Sequence, residues 1–305
     1  MTHQSPPPGV GRALGLMLGP ALGPALSSAL GRVVFIGAGP GAADLITVRG
    51  AQRLAQADVV LFDALTDPAL RELALHSRWV DVGKRGFCDS TGQTTIDAML
   101  VHWAQRVAVV VRLKGGDPSV FGRLEEELQA LAAAGIACEV VPGVTAAIAA
   151  AADTQRPLTR RGTGRSVSLS TAMTRAGARP PTQQTAGSAD KVANQRADTE
   201  VFYMAGRQLA ALGRTLRVTG WPPDTAVCVV SRAGWPDVLS SDHALADLGA
   251  AAVLHAGRPT VVTVGAGARA VVPAPQPAEP AHAELLVLPV PVPVPVPTGR
   301  ILPAS

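Results

Sequence analysis

Short apolar runs alternate with helix-like segments through the first half of the chain. The run at 33–36 ends in glycines, and apolar residues then recur at helical spacing over 46–56. Alternation of this kind indicates a parallel sheet covered by helices. We predict strands at 33–36, 59–65, within 78–86, 107–111 and 138–141, and helices at 46–56, 67–76, 93–105, 124–134 and from about residue 144.

A second series of strands and helices follows a polar, arginine-rich stretch. Its predicted strands are 166–173, 200–204, 226–231 and 260–268, with a helix after Met204. The pattern therefore predicts an α/β protein with two α/β domains and mostly parallel sheets. We predict a flexible leader at 1–30, an N-terminal domain at 31–153, a junction at 154–165, a C-terminal domain at 166–271 with a disordered loop at 175–198, and a Pro/Val-rich disordered tail at 272–305.

Composition excludes several classes of protein. Hydrophobic residues make up 47% of the chain but aromatic residues only 3%, so Ala, Val and Leu must build the core. The net charge of +4 comes without a dense basic stripe, which argues against a nucleic-acid partner. Cys88, Cys138 and Cys228 form no CxxC pair, which fits a reducing cytoplasm. No apolar run reaches the ~20 residues needed to span a bilayer, so we expect a soluble cytoplasmic protein.

The segment RLKGGDPSVFGR, at 112–123, has the features of a ligand-binding turn. It follows the predicted strand 107–111 and places Gly115, Gly116 and Asp117 at the carboxyl end of that strand. Glycine leaves backbone groups open to a ligand, and ligands of open α/β sheets bind at this edge. The sequence therefore predicts a binding site there.

The glycine-rich segment GAGPGAA, at 37–43, allows two interpretations. It follows a strand, and Asp63 ends the next strand about 20 residues on, which is close to the dinucleotide-binding fingerprint. Pro40, however, removes one backbone N–H from the turn that would hold a pyrophosphate. A nicotinamide-dependent oxidoreductase is thus one alternative from this segment alone.

Seven segments in a fixed order resemble the tetrapyrrole methyltransferase family, and within it the uroporphyrinogen-III C-methyltransferases. They are GAGPG, VVLFDAL, VGKRG, RLKGGDPSVFGR, VVPGVTAAIAAAA, PLTRR and VFYM, within residues 31–267. The resemblance implies S-adenosylmethionine in a cleft between two α/β domains, no metal, and usually a homodimer. It also implies two C-methylations of uroporphyrinogen III, giving precorrin-2 via precorrin-1 for siroheme or cobalamin. A later-acting precorrin methyltransferase and a non-catalytic tetrapyrrole carrier are the alternatives.

The resemblance also implies roles for individual residues. Asp63 matches the family's proton acceptor and Lys84 its proton donor. The implied S-adenosylmethionine contacts are Pro40, Gly115, Gly116, Asp117, Val120, Thr145, Ala146, Met204 and Ala233. Asp117 suits the positive sulfonium, and Val120 and Met204 would form apolar walls for the adenine.

Arginines near the junction are candidates for binding the carboxylates of uroporphyrinogen III. Four of them fall within ten residues, and a guanidinium pairs bidentately with a carboxylate. They are Arg156, Arg160, Arg161 and Arg165. Members of the family commonly have histidine where this chain has Asp89 and Arg160, and both differences lie on the side of the macrocycle.

Overall fold

Five strands form a first sheet in which every pairing is parallel. The computed structural model describes residues 30–83, 92–173 and 196–271. The strands of the first sheet are β1 (Arg32–Gly37), β2 (Val59–Phe62), β3 (Arg78–Asp81), β4 (Val109–Lys114) and β5 (Cys138–Val141). Their order is β3-β2-β4-β1-β5. Because the strands are parallel, all their carboxyl ends meet at one edge, which confirms the parallel sheet predicted for this half.

Helices cover both faces of this sheet. They are α1 (Val48–Leu54), α2 (Gln93–Ala104), α3 (Leu124–Ala133) and α4 (Ala146–Asp153), with 3₁₀ helices at Ala43–Leu45 and Pro68–Ala74. The predicted helix at 67–76 is thus a 3₁₀ helix, although Asp67 does cap it by accepting a hydrogen bond from the Ala69 N–H at 2.9 Å. The helix predicted from residue 46 begins later, because Thr47 caps it by accepting from the Gly50 N–H.

Side chains of the strands point alternately to the two faces of the first sheet and pack there in two apolar clusters, one on each face. On β4, Val110 packs with α2 and α3, whereas Val111 and Leu113 pack on the opposite face. Arg112 and Lys114 share the face of Val110 but lie nearer the carboxyl edge. This placement brings two cations to the edge where the loops of the sheet gather.

A second sheet follows, and most of its pairings are antiparallel. Its strands are β6 (Val167–Thr171), β7 (Thr199–Tyr203), β8 (Ala226–Ser231), β9 (Leu239–Ala244) and β10 (Thr260–Gly265), in the order β6-β7-β10-β8-β9. Only β6 and β7 pair in parallel. The expectation of mostly parallel sheets is therefore wrong here. Strand β9 was not predicted, because its sequence LSSDHA contains no apolar run.

Helix α5 (Leu209–Val218) and the short helix α6 (Ala251–Leu254) pack on the second sheet, with 3₁₀ helices at Leu245–Ala250 and Ala266–Ala268.

The described residues through Ala270 belong to one compact unit. No helix within the described ranges is long and apolar enough to cross a membrane. Several predicted features lie outside the described residues: the leader up to residue 29, Lys84 and Asp89, most of the 175–198 loop, and the tail from 272.

Candidate functional site

Three glycines from three loops touch one another at the carboxyl edge of the first sheet. They are Gly37 at the end of β1, Gly116 after β4 and Gly143 after β5. A Cβ added to Gly143 would lie 2.3 Å from the Gly116 carbonyl oxygen, and one added to Gly37 would lie 2.5 Å from the Gly143 Cα. The Gly116 N–H also donates to the Gly39 carbonyl oxygen at 2.7 Å. At Gly37 and Gly143 only glycine permits this approach, so the loops form one backbone-lined surface.

Asp117 ties two of these loops together. Its Oδ1 accepts from the Ser119 N–H at 2.7 Å within its own turn, and its Oδ2 accepts from the Gly143 N–H at 2.9 Å. The carboxylate thus carries a negative charge to this surface and also orders it. The second role was not part of the sequence-based interpretation.

The second sheet supplies an apolar wall beside the glycines. The Tyr203 hydroxyl lies 2.8 Å from Thr145 Oγ1, and its ring lies 5.0 Å from the ring of Phe121, centroid to centroid. Burial raises the pKa of Tyr203. Phe121 and Met204 both have a positive φ, at 53° and 56°, and the two residues are 43% and 44% exposed. Strained backbone that holds exposed apolar side chains is typical of a binding site.

The loop after β8 closes against the glycine-rich segment at 37–43. The Ala42 N–H donates to the Gly234 carbonyl oxygen at 2.8 Å, and Trp235 Nε1 donates to the Pro40 carbonyl oxygen at 3.0 Å. The Gly234 N–H in turn donates to Asp153 Oδ2 at 2.7 Å, at the end of α4. The predicted contacts Pro40 and Ala233 therefore lie on loops that are bonded to each other.

Asp63 lies at the same edge, directly after β2, and accepts a hydrogen bond from a buried arginine. Its Oδ1 lies 2.7 Å from Arg112 Nη2. Arg112 also donates to Glu127, which in turn accepts from Lys114 at 2.5 Å. Burial and the neighbouring Arg112 guanidinium lower the pKa of Lys114 to about 8. The four charged groups form a neutral cluster in which only Asp63 retains exposure, at 15% of its side chain.

The four candidate arginines have different surroundings. Arg156 forms an ion pair with Asp242 and donates to the Ala268 carbonyl oxygen at 2.8 Å. Arg160 donates to the Arg269 carbonyl oxygen. Arg161 and Arg165 are exposed, and the described part of the chain offers neither side chain a hydrogen bond or an ion pair. Both guanidinium groups are thus exposed, although that of Arg165 lies near the Asp198 carboxylate.

The structure brings most of the predicted cofactor residues to connected loops. Val120 packs against the buried cluster that contains Ala233, and Ala146 begins α4 beside Thr145. Lys84, the predicted proton donor, lies outside the described residues. Residues that the sequence did not single out are Tyr203, Trp235 and Glu127. The sequence offered a signal for two of the three: Tyr203 is the one tyrosine of the chain, and Glu127 lies on the apolar side of its helix.

The chain belongs to the tetrapyrrole (corrin/porphyrin) methylases, because the model of that family matches residues 32–248. It is 39% identical over 203 residues to the uroporphyrinogen-III C-methyltransferase of Pseudomonas aeruginosa, covering 67% of this chain and 80% of that protein. It is also 39% identical over 236 residues to a siroheme synthase of Neisseria meningitidis serogroup C, covering 77% of this chain. That alignment spans 48% of the siroheme synthase, so this chain corresponds to about half of it.

Solved structures show the same relationship. The uroporphyrin-III C-methyl transferase of Thermus thermophilus complexed with S-adenyl homocysteine is 32% identical, with a TM-score of 0.65, covering 77% of this chain and 97% of that one. These findings confirm the family and the fold class. They also decide between the two interpretations of the glycine-rich segment, in favour of a methyltransferase.

Proposed function

We propose that this protein is an S-adenosylmethionine-dependent C-methyltransferase that acts on uroporphyrinogen III. It would carry out two successive methyl transfers, giving precorrin-2 via precorrin-1. The observation that carries the proposal is the joining of three glycine loops, Asp117 and Tyr203 at one edge of the parallel sheet, in a chain of this family. A precorrin methyltransferase acting on a later intermediate is the alternative within the same fold.

The residues at this edge suit the methyl donor. Gly116 has a positive φ of 72°, and a Cβ placed there would have no atom nearer than 4.0 Å, so this side of the turn is not crowded. Met204 and Phe121 offer exposed apolar surface for the adenine, and Asp117 supplies negative charge for the sulfonium. When bound, S-adenosylmethionine supplies an electrophilic methyl group. The residues of the chain would hold it in line with the attacking carbon, and such positioning accounts for much of the rate in transfers of this kind.

Asp63 is the residue that we assign as proton acceptor. Attack by a pyrrole β-carbon on the methyl group leaves the ring system positively charged, and loss of a proton from the adjacent meso carbon restores neutrality. A carboxylate at the mouth of the site can take that proton. Asp63 is partly exposed there and is paired with the Arg112 guanidinium. Lys84 remains our proposal for the proton donor.

Arg161 and Arg165 are the arginines that we assign to the carboxylate-rich rim of the tetrapyrrole. Both are exposed, whereas Arg156 and Arg160 already donate to other groups of the protein. Arg160 would contribute through the N–H groups that remain. Pairing of a guanidinium with a carboxylate is bidentate and selective, so these side chains would orient the macrocycle.

We further propose that the protein works as a cytoplasmic homodimer in siroheme or cobalamin synthesis. The siroheme part of the proposal is supported by the relative named siroheme synthase, and the rest is what the resemblance to the family implies. Size-exclusion chromatography with light scattering would give the mass of the assembly, and a monomer at micromolar concentration would contradict the dimer.

Incubation of the full chain with uroporphyrinogen III and methyl-labelled S-adenosylmethionine tests the proposed activity. We expect two labelled methyl groups per macrocycle and one S-adenosylhomocysteine released for each. Asp117→Ala is the matched inactive variant, because it removes the charge and unties Gly143. Absence of label from uroporphyrinogen III, together with labelling of precorrin-2 in a parallel incubation, would favour the later-acting alternative.

A further inference from the structure

A buried chain of alternating charges connects the core of the first sheet to Asp63. Strand β4 places Val110, Arg112 and Lys114 on one face, and Val110 packs in the apolar cluster with α3. Arg112 is fully buried and Lys114 is 2% exposed. Glu127 of α3, also fully buried, lies one turn before Leu131, which packs in the same cluster. Three ionisable side chains therefore lie where apolar residues would pack.

Arg112 is the centre of this cluster and is bonded on every side. Its Nε donates to Glu127 Oε1 at 3.0 Å, and its Nη1 donates to the carbonyl oxygens of Leu61 and Leu113 at 3.3 and 3.1 Å. Its Nη2 donates to Asp63 Oδ1 at 2.7 Å. A guanidinium held by bonds in several directions has little freedom to rotate. Its bond to Asp63 therefore fixes one carboxylate oxygen of that residue.

Within the described ranges, the other oxygen of Asp63 has no hydrogen-bond partner. Among the described residues, no group donates a hydrogen bond to Asp63 Oδ2, and the side chain keeps 15% of its exposure. Asp63 follows Leu61 by two residues and so points to the same face of the sheet. Leu61 pairs in register with Arg112, which places Asp63 close to the Arg112 side chain. One oxygen is thus anchored in the protein while the carboxylate remains accessible from the site.

Glu127 makes this arrangement possible. Two cations on one buried face would repel each other, and burying an unpaired charge costs several kcal/mol. Glu127 accepts from Arg112 with one oxygen and from Lys114 with the other, at 2.5 Å, so the cluster is electrically balanced. Buried ion pairs add little to stability compared with well-packed apolar residues. A cluster that ends on a partly exposed carboxylate is therefore better explained by what it does to that carboxylate.

We propose that Arg112 and Glu127 are positioning residues for Asp63. Arg112 holds Oδ1 so that the carboxylate presents its other oxygen to the macrocycle, and Glu127 fixes Arg112 in place. This inference deepens the proposed function and rests on it, since Asp63 is the proposed proton acceptor. Arg112 is itself fully buried and so does not reach a substrate carboxylate.

A double-mutant cycle between Arg112→Met and Asp63→Asn tests the inference. Methionine fills a similar volume and leaves the buried Glu127 paired with Lys114, while the partly exposed Asp63 loses its partner cation. We expect Arg112→Met to lower kcat for methyl transfer by about 100-fold, the loss typical of a misplaced group. The affinity for S-adenosylhomocysteine, measured by calorimetry, should stay within about twofold. In the Asp63→Asn background, Arg112→Met should cause no further loss, because the group it positions is gone.

Arg53→Met is the matched control. Arg53 forms an ion pair with Glu139 at 2.9 Å between α1 and β5, and its loss should leave kcat unchanged in either background. If the fold-loss of kcat in the double variant equals the product of the two single losses, the inference is overturned, because Arg112 would then act independently of Asp63. If Arg112→Met does not fold, Arg112→Lys keeps the charge but not the planar fork. Arg112→Lys should lower kcat less than Arg112→Met, and in the Asp63→Asn background it should cause no further loss of kcat.

Failure of the proposed function would give a different result. If the unmodified chain transfers no methyl group to uroporphyrinogen III, that function falls whatever the variants do. The crystal structures of the unmodified chain and of Arg112→Met then decide the inference without turnover. A displaced Asp63 carboxylate in the variant supports the positioning role, and an unmoved one overturns it.

Discussion

Trp235 donates its indole N–H to the carbonyl oxygen of Pro40 at 3.0 Å and thereby joins loops that follow strands of the two different sheets. Gly41 packs beneath this contact, where a Cβ would lie 2.2 Å from the Gly234 carbonyl oxygen. The glycine-rich segment after β1 is thus held by the second sheet as well as by its own. A ligand that touches Pro40 and Ala233 together would bind better when this contact is intact.

We expect Trp235→Phe to weaken the binding of S-adenosylhomocysteine about fivefold, which corresponds to the ~1 kcal/mol of one hydrogen bond. Isothermal calorimetry measures the change. Trp79→Phe is the control, because Trp79 Nε1 also donates to a backbone carbonyl, that of Ala74 at 3.1 Å, beside β3. Equal weakening by both variants would show that the effect is a general loss of stability and not a property of the Pro40 contact.

A side chain introduced at the contact among Gly37, Gly116 and Gly143 should lower both the stability of the protein and its affinity for S-adenosylhomocysteine. Gly143→Ala would place a Cβ 2.3 Å from a backbone oxygen, which cannot rotate away. We expect the free energy of unfolding to fall by about 1–3 kcal/mol, as in other overpacked sites, and S-adenosylhomocysteine binding to weaken at least tenfold. Denaturant unfolding and calorimetry measure the two effects. Gly92→Ala is the control, since its φ is −57° and its nearest neighbour would lie at 3.9 Å. Normal binding by Gly143→Ala would contradict a role for this contact.

The first sheet and its loops could be predicted from sequence because the signals there are local. Strands β1, β2 and β4 contain apolar runs, a glycine ends β1, and two glycines directly follow β4. Parallel strands then bring Gly37, Gly116 and Gly143 to one edge. Strand β9 could not be predicted in this way. It is a polar edge strand that pairs with β8, and its pairing depends on the short connection between them and not on its own residues.

The partners of buried charges were also beyond the reach of sequence patterns. Arg112 and Lys114 alternate on β4 as a half-exposed strand would, and Glu127 falls in a helix with two other acidic residues in the same turn. Periodicity assigns a side chain to a face but not to a partner across it. Only the packing of α3 on β4 reveals that the three residues meet.

Tyr203 allows a direct spectroscopic test, because it is the one tyrosine of the chain. Burial raises its pKa above the usual value of ~10. Absorbance at the tyrosinate band should therefore show ionisation at a higher pH than in the unfolded chain. The folded state holds this proton more tightly, so stability should fall as the pH rises through the raised pKa.

The hydrogen bond between the Tyr203 hydroxyl and Thr145 Oγ1 opposes that rise, because Thr145 can donate to the ionised tyrosine, so Thr145→Val should raise the pKa of Tyr203 further. The exposed Thr159→Val is the control and should leave the titration unchanged. A Tyr203 that titrates as in the unfolded chain would contradict the buried contact.

Arg161 and Arg156 should respond differently to the same substitution. We expect Arg161→Ala to raise the KM for uroporphyrinogen III about tenfold, the loss typical of a charge-assisted hydrogen bond, with the affinity for S-adenosylhomocysteine unchanged. Arg156→Ala should instead lower stability, since it breaks the ion pair with Asp242. Steady-state kinetics and thermal unfolding separate the two outcomes. The exposed Arg214→Ala of α5 is the control, and an unchanged KM for Arg161→Ala would remove that residue from the substrate site.

Asp63→Asn is the most direct test of the proposed proton transfer. Asparagine keeps the size of the side chain and can still accept a hydrogen bond from Arg112 through its amide oxygen, but it cannot take a proton. We expect kcat to fall by ~10²–10⁴-fold, the usual contribution of a general base, while S-adenosylhomocysteine binds as before. Asp44→Asn, an exposed carboxylate close to the glycine-rich segment, is the control and should leave kcat unchanged. Since the methyl transfer precedes proton loss, rapid-quench measurement of S-adenosylhomocysteine can separate the two steps. Full activity of Asp63→Asn would show that another group, or water, removes the proton.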